Sequence, residues 1–202
     1  IIADGSVRYL PYEPNAEFME ALERAVSMTS PKPVAIILNY PSNPTAQVAT
    51  LDFYGQVVDF CKHHQIWILS DLAYSEIYFD EKNPPIGALH AAQHFGRTGY
   101  PRLVVFSSLS KRSNCPGMRS GFVSGDAQIL KKYLLYRTYQ GCAMSPPIHA
   151  ASIAAWKDEA HVVENRRLYR DKFDTAMSIL GKTPGVQMPD ASFYLWIDAR
   201  RD

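Results

Sequence analysis

Ile66-Trp67-Ile68-Leu69-Ser70-Asp71 is the stretch on which the fold turns. Four consecutive apolar residues between polar neighbours have the length of a strand buried on both faces, and a carboxylate closes the run. The same pattern recurs outward in both directions. Upstream, Val34-Ala35-Ile36-Ile37-Leu38 is another short apolar run, and it ends in Asn39-Tyr40-Pro41-Ser42-Asn43-Pro44-Thr45, too rich in Pro and Asn to be regular. Between the two runs, Thr50 can cap a helix that carries Asp52 in its first turn and extends to about His64. Downstream, Leu103-Val104-Val105-Phe106 is a third such strand, ending in Ser107 and Ser108, and Ser120 to Ser124 can form a fourth.

Farther out, Phe18, Leu22 and Val26 have helical spacing within Asn15 to Met28. A helix is expected over Ala127 to Tyr139; its aromatic segment from Tyr133 to Tyr139 reads as packing, with a dimer surface or substrate edge as the alternative. One long helical stretch is expected over about Ile148 to Leu180, and a last strand over Phe193 to Ile197. Strands alternating with helices imply βαβ units with right-handed crossovers. The expected class is α/β, a three-layer α/β/α arrangement around a mostly parallel sheet. The helix from Ile148 reads as a connector to a smaller α+β domain, of which the first elements precede Asp202.

Composition narrows the function. The 202 residues suit one large domain, or one domain and part of another. The balance of 47% hydrophobic to 20% charged residues is ordinary for a globular protein. A formal charge of +1 gives no electrostatic reason to expect nucleic acid or an anionic membrane as partner. No apolar run is long enough to span a bilayer and no secretory leader opens the chain. Three cysteines (Cys61, Cys115 and Cys142) at irregular spacing suit a reducing cytosol, so a cytoplasmic location is expected. Neither they nor the histidines show metal-ligand spacing.

In open α/β sheets, ligands collect beyond the carboxyl ends of the strands. Asn43, Asp71, Ser108 and Lys111 all fall there. Most lysines are solvated surface charges, but Lys111 follows Phe106-Ser107-Ser108-Leu109-Ser110 at a strand end, where an amine can form an imine with an aldehyde. Asp71 alone reads equally well as a turn or capping aspartate, or as a carboxylate that keeps a pyridine nitrogen protonated. Tyr74 and Asn43 can both donate to a ring oxygen. Arg119, in Pro116-Gly117-Met118-Arg119-Ser120-Gly121, suits a phosphate, because its guanidinium fork offers two parallel charge-assisted bonds. Ser108 and Ser110 add hydroxyl groups. Together these residues could grip pyridoxal 5′-phosphate.

Ser42-Asn43-Pro44-Thr45, Asp71-Leu72-Ala73-Tyr74 and Ser108-Leu109-Ser110-Lys111 with Arg119 resemble the fold-type I, class I/II aminotransferases over almost the whole chain. That resemblance implies a pyridoxal-phosphate enzyme, a homodimer acting on a small amino donor and a keto acid. It implies Lys111 as Schiff-base residue and general base, and Asp71 against the pyridine nitrogen. Asn43 and Tyr74 would contact the ring oxygen, and Ser108, Ser110 and Arg119 would line the phosphate site. Ser70 to Asp80, Ser107 to Asp126, Leu134 to Tyr139 and Pro189 to Trp196 are similar to the N-succinyldiaminopimelate aminotransferases of lysine biosynthesis. Aspartate and LL-diaminopimelate types, a cofactor-binding regulator domain and an inactive fragment are the alternatives.

Against the family pattern, the chain is expected to lack an N-terminal part, with its phosphate loop and ring-stacking aromatic. It is also expected to lack a C-terminal part that supplies the carboxylate-binding arginine. Residues 1–160 would form the cofactor-binding large domain and residues 161–202 the start of the small one. Ala46 stands where the family usually has glycine, a mild change unless the backbone there requires a positive φ.

Overall fold

A computed structural model describes residues 5–141 and 143–197, so Cys142 lies outside the described residues. Local signals start the first elements. The Asn15 side chain accepts from the Phe18 N–H at 3.2 Å and caps α1 (Ala16–Ser27), whose buried stripe is Phe18, Leu22 and Val26. Thr50 does the same for α2 (Leu51–His64), accepting from Phe53 N–H at 3.2 Å. That helix ends at Gln65 in the left-handed region, φ 60°.

The strands are β1 (Ala35–Asn39), β2 (Trp67–Asp71), β3 (Leu103–Ser108) and β4 (Gly121–Gly125), in the spatial order β1-β2-β3-β4. The first three are parallel, with α2 crossing from β1 to β2 and α3 (Ala88–His94) lying between β2 and β3. β4 is antiparallel to β3, because the chain turns back at the same end of the sheet through α4 (Leu109–Arg112) and one 3₁₀ turn (Pro116–Met118). In the register, Asn39 pairs with Asp71 and Asp71 with Phe106, so β1 and β2 end level and β3 runs two residues beyond them, to Ser108.

The pleat sends Ile36, Leu38, Ile68, Leu103 and Val105 to one face. There they form a continuous core with Phe18, Leu22, Phe53, Tyr54 and Val57 of α1 and α2 and with Ala88 and Ala91 of α3. Each large side chain in it gains about 1.5–3 kcal/mol by leaving water. The opposite face is only partly covered among the described residues. β1 alternates exposed and buried residues, and Ile37 remains 75% exposed. Among the described residues no helix covers β1 on that side, and Ile37, Leu69 and Phe106 instead floor an open depression.

Three expectations are corrected. The stretch 148–180 is two helices, α6 (Pro146–Lys157) and α7 (Ala160–Leu180). Asp158 breaks it with an extended backbone, and its carboxylate accepts from Ala160 N–H at 3.0 Å and pairs with His161 at 2.7 Å. An aspartate whose side chain bonds the backbone two residues on therefore outweighs continuous periodicity. Phe193–Ile197 forms no strand, since the nearby chain makes only one bridge, Tyr78 to Ala191, and no neighbouring strand extends it. Finally, α5 (Ala127–Tyr139) is capped by Asp126, which accepts from Gln128 and Ile129 N–H, but it buries none of its residues. Leu134 is 70% and Tyr139 79% exposed, so this aromatic segment is not packed against the described residues. No helix among the described residues is long and apolar enough to cross a membrane.

Candidate active site

The loops after the carboxyl ends of these strands carry the polar groups. After β1, Asn43 N–H donates to Asn39 Oδ1 at 2.9 Å, and the Ser42 hydroxyl bonds Thr45 and accepts from Gln47 N–H at 2.9 Å. Ala46 within this turn has φ 59°, the left-handed region that the family's usual glycine enters freely. Alanine tolerates it at a cost of about 1–2 kcal/mol. A β-branched side chain does not, and Ala46 is buried. Ala46→Val is therefore expected to lower stability by about 2–3 kcal/mol, combining strain with overpacking. A urea midpoint equal to that of the wild type would show that the turn relaxes.

After β2, Asp71 Oδ1 accepts from Ala73 N–H at 2.9 Å, a local turn that fixes the carboxylate at the strand end. Tyr74 follows, buried, and its hydroxyl accepts from Asn43 Nδ2 at 3.0 Å. The same hydroxyl lies 2.9 Å from the hydroxyl of Tyr194. Burial, reinforced by the bond with Tyr194, holds the Tyr74 phenol well above its ordinary pKa. It is therefore a protonated hydroxyl at neutral pH.

After β3, the Ser108 hydroxyl accepts from Ser110 N–H at 3.3 Å and opens α4, which carries Lys111. The Lys111 amine sits 5.1 Å from the Phe193 ring centroid and 5.9 Å from that of Tyr74. The main chain beneath it is fastened from α7, where Asn165 Nδ2 donates to the Lys111 carbonyl at 3.1 Å and to the Arg112 carbonyl at 3.4 Å. Arg112 is buried. It donates to the Ala155 carbonyl at 2.9 Å, pairs with Glu159 and lies over the Trp156 ring at 5.0 Å.

Asp71, Ser107 and Ser108 stand on the walls of the depression floored by Ile37, Leu69 and Phe106, whose volume is about 390 Å³. Asn43, Tyr74 and Lys111 form a connected cluster beside Asp71 at the strand ends. Arg119 is not one of the lining residues, and neither are Asn43, Tyr74, Ser110 and Lys111. Arg119 is exposed, with φ 50°, and its guanidinium donates to the Pro116 carbonyl at 3.0 Å.

Phe193 and Tyr194 were not anticipated as site residues. Phe193 touches Tyr74 edge-on at 5.3 Å and stacks on Tyr169 of α7 at 5.6 Å, with an interplanar angle of 15°. The only signal in the sequence was the aromatic run itself. Its partner Tyr74 is 120 residues away, beyond the reach of any local spacing rule.

The family model described as aminotransferase class I and II matches residues 2–202. The chain belongs to the class I and II aminotransferase family. A relative is the putative aminotransferase AatC of Rhizobium meliloti, 41% identical over 97% of this chain and 47% of its own length. The glutamate-pyruvate aminotransferase AlaC of Escherichia coli is 33% identical over 97% of this chain and 47% of its own. The crystal structure of an aminotransferase from Neisseria meningitidis superposes with a TM-score of 0.88 at 44% identity, covering 97% of this chain and 49% of that one. This class I and II aminotransferase chain thus spans about half the length of the curated relatives it matches. Its fold is the family's mostly parallel sheet with helices on both sides.

The family's cofactor is pyridoxal phosphate, and the donor set here fits it. The depression falls in the size range of small-molecule sites. A carboxylate on its wall is the partner a protonated pyridine nitrogen needs. An amine at the neighbouring strand end suits an aldehyde, and two hydroxyl-bearing serines suit a phosphate.

Proposed function

We propose that this chain is the core of a pyridoxal-phosphate-dependent aminotransferase that moves an amino group between glutamate and a keto acid. The observation that supports this most is the convergence of the Lys111 amine, the Asn43–Tyr74 hydrogen bond and the Asp71 carboxylate at three adjacent strand ends. Residues 1–160 act as the cofactor-binding domain and residues 161–202 as the beginning of the small domain. The working form is a cytoplasmic homodimer.

When bound, pyridoxal phosphate supplies an aldehyde that captures amines and a ring that withdraws electrons from the carbon beside the captured nitrogen. The Lys111 amine would hold the cofactor's aldehyde and, when free, would serve as the base that takes up and returns a proton. Asp71 keeps the ring nitrogen protonated. Asn43 and Tyr74 donate to the ring oxygen. Ser108, Ser110 and Arg119 hold the phosphate, with Arg119 swinging from its bond to the Pro116 carbonyl.

For the keto acid, the likeness of Ser107–Asp126 and Pro189–Trp196 to N-succinyldiaminopimelate aminotransferases favours the N-succinyl-diaminopimelate/2-oxoglutarate pair of lysine biosynthesis. Glutamate–pyruvate exchange is the second reading, favoured by the 33% identity to AlaC. Steady-state assays of the full-length protein with glutamate and a panel of 2-oxo acids separate the two. The succinylated keto-pimelate is expected to have a kcat/KM at least about tenfold above that of pyruvate, the discrimination that one buried charge contact provides. Faster transfer to pyruvate would reverse the substrate order. No transfer from any donor would remove the activity.

A further inference from the structure

We propose that Tyr194 is a positioning residue for Tyr74: it takes up one lone pair of the Tyr74 hydroxyl, so that the Tyr74 proton is directed at an anionic ring oxygen in the site. The proposal rests on the cofactor reading above.

A phenol hydroxyl has one proton and two lone pairs. Asn43 Nδ2 can only donate, and at 3.0 Å it occupies the first lone pair of Tyr74. The Tyr194 hydroxyl, 2.9 Å from the same oxygen, can donate or accept. With no anion in the site, Tyr74 donates to Tyr194 and its proton is parked. With an oxyanion present, Tyr194 reverses and donates into the second lone pair, leaving the Tyr74 proton one useful direction. Each donor that points into Tyr74 also polarises its O–H and makes it a stronger donor.

The packing holds Tyr194 in place for this. Its ring lies 5.8 Å from the Tyr74 ring and 4.7 Å from that of Phe193, which is itself stacked on Tyr169. Burial keeps Tyr74 protonated, so it is available as a donor throughout. With pyridoxal phosphate held in the site, the acceptor that Tyr74 would meet is the oxygen carried on the cofactor's aromatic ring.

The test uses the full-length protein loaded with pyridoxal phosphate and no substrate, and follows the visible absorbance of the bound cofactor against pH. Fewer donors leave more negative charge on the ring oxygen, which holds the neighbouring imine proton more tightly and moves the midpoint up. Tyr74→Phe is expected to raise the midpoint by about one to two pH units. Tyr194→Phe, which keeps the ring and its stacking, is expected to raise it by about 0.2–0.5 unit. The double variant should match Tyr74→Phe alone, because Tyr194 acts only through Tyr74. An unchanged midpoint in Tyr194→Phe, or a shift that persists undiminished in the Tyr74→Phe background, overturns the proposal while leaving the cofactor reading intact. An imine band with the wild-type pH dependence that survives in Lys111→Ala overturns both.

Discussion

Lys111→Ala is expected to abolish the imine absorbance of the bound cofactor and to lower turnover by at least about 10⁴-fold if Lys111 is both the covalent anchor and the proton carrier, as proposed. The loss should be chemical and not structural. α4 is held by main-chain bonds that alanine keeps, namely Ser108 Oγ to Ser110 N–H and Asn165 Nδ2 to the carbonyl of residue 111. Alanine is also a better helix former than lysine. Stability should therefore change by less than about 1 kcal/mol. The informative measurement pairs a visible spectrum with a denaturation curve. A wild-type spectrum in a folded variant would show that Lys111 is not the anchor.

Asp71→Asn is expected to lower kcat by about 10²–10³-fold, the usual cost of removing one preorganised electrostatic partner from a reacting centre. Asparagine keeps an oxygen that can accept from the Ala73 N–H, so the turn at the end of β2 survives and only the charge is lost. On the proposed role, losing that charge would leave the pyridine nitrogen unprotonated and the ring a weaker electron sink. Cofactor affinity should fall as well, and both quantities can be measured on one preparation. A kcat within tenfold of the wild type would mean that Asp71 serves only the turn.

Much of the scaffold was legible because its signals are short-range. Asn15 and Thr50 announce α1 and α2 by capping chemistry that acts within three residues. The apolar runs at 34–38, 66–69 and 103–106 have strand length, and parallel pairing brings their ends to one edge whatever the loops between them contain. That is why Asn43, Asp71 and Lys111 could be placed at one edge before any contact was known.

Misread segments share a cause: an apolar or helical pattern records what a residue prefers and not what is there to meet it. The helical periodicity of 148–180 continues across Asp158, although that residue ends one helix and its carboxylate bonds the backbone two residues on. Phe193–Ile197 has strand composition, but its aromatic rings find Tyr74 and Tyr169 before any strand finds its backbone. Ala46 carries no mark in sequence of its left-handed φ, which only the turn closed by Ser42 and Gln47 imposes.

By itself the sequence determined the alternation of strands and helices and the chemistry available at each strand end, including a lysine beyond the third strand, because these follow from spacing and side-chain type along a few residues. Only the tertiary structure decided that one sheet face stays open beside Asp71, that Asn165 and Arg112 fasten the lysine helix to α6 and α7, and that Tyr194 bonds Tyr74. Those contacts join residues tens to more than a hundred positions apart. Such pairings are set by how helices and loops pack around the sheet, which no local pattern encodes.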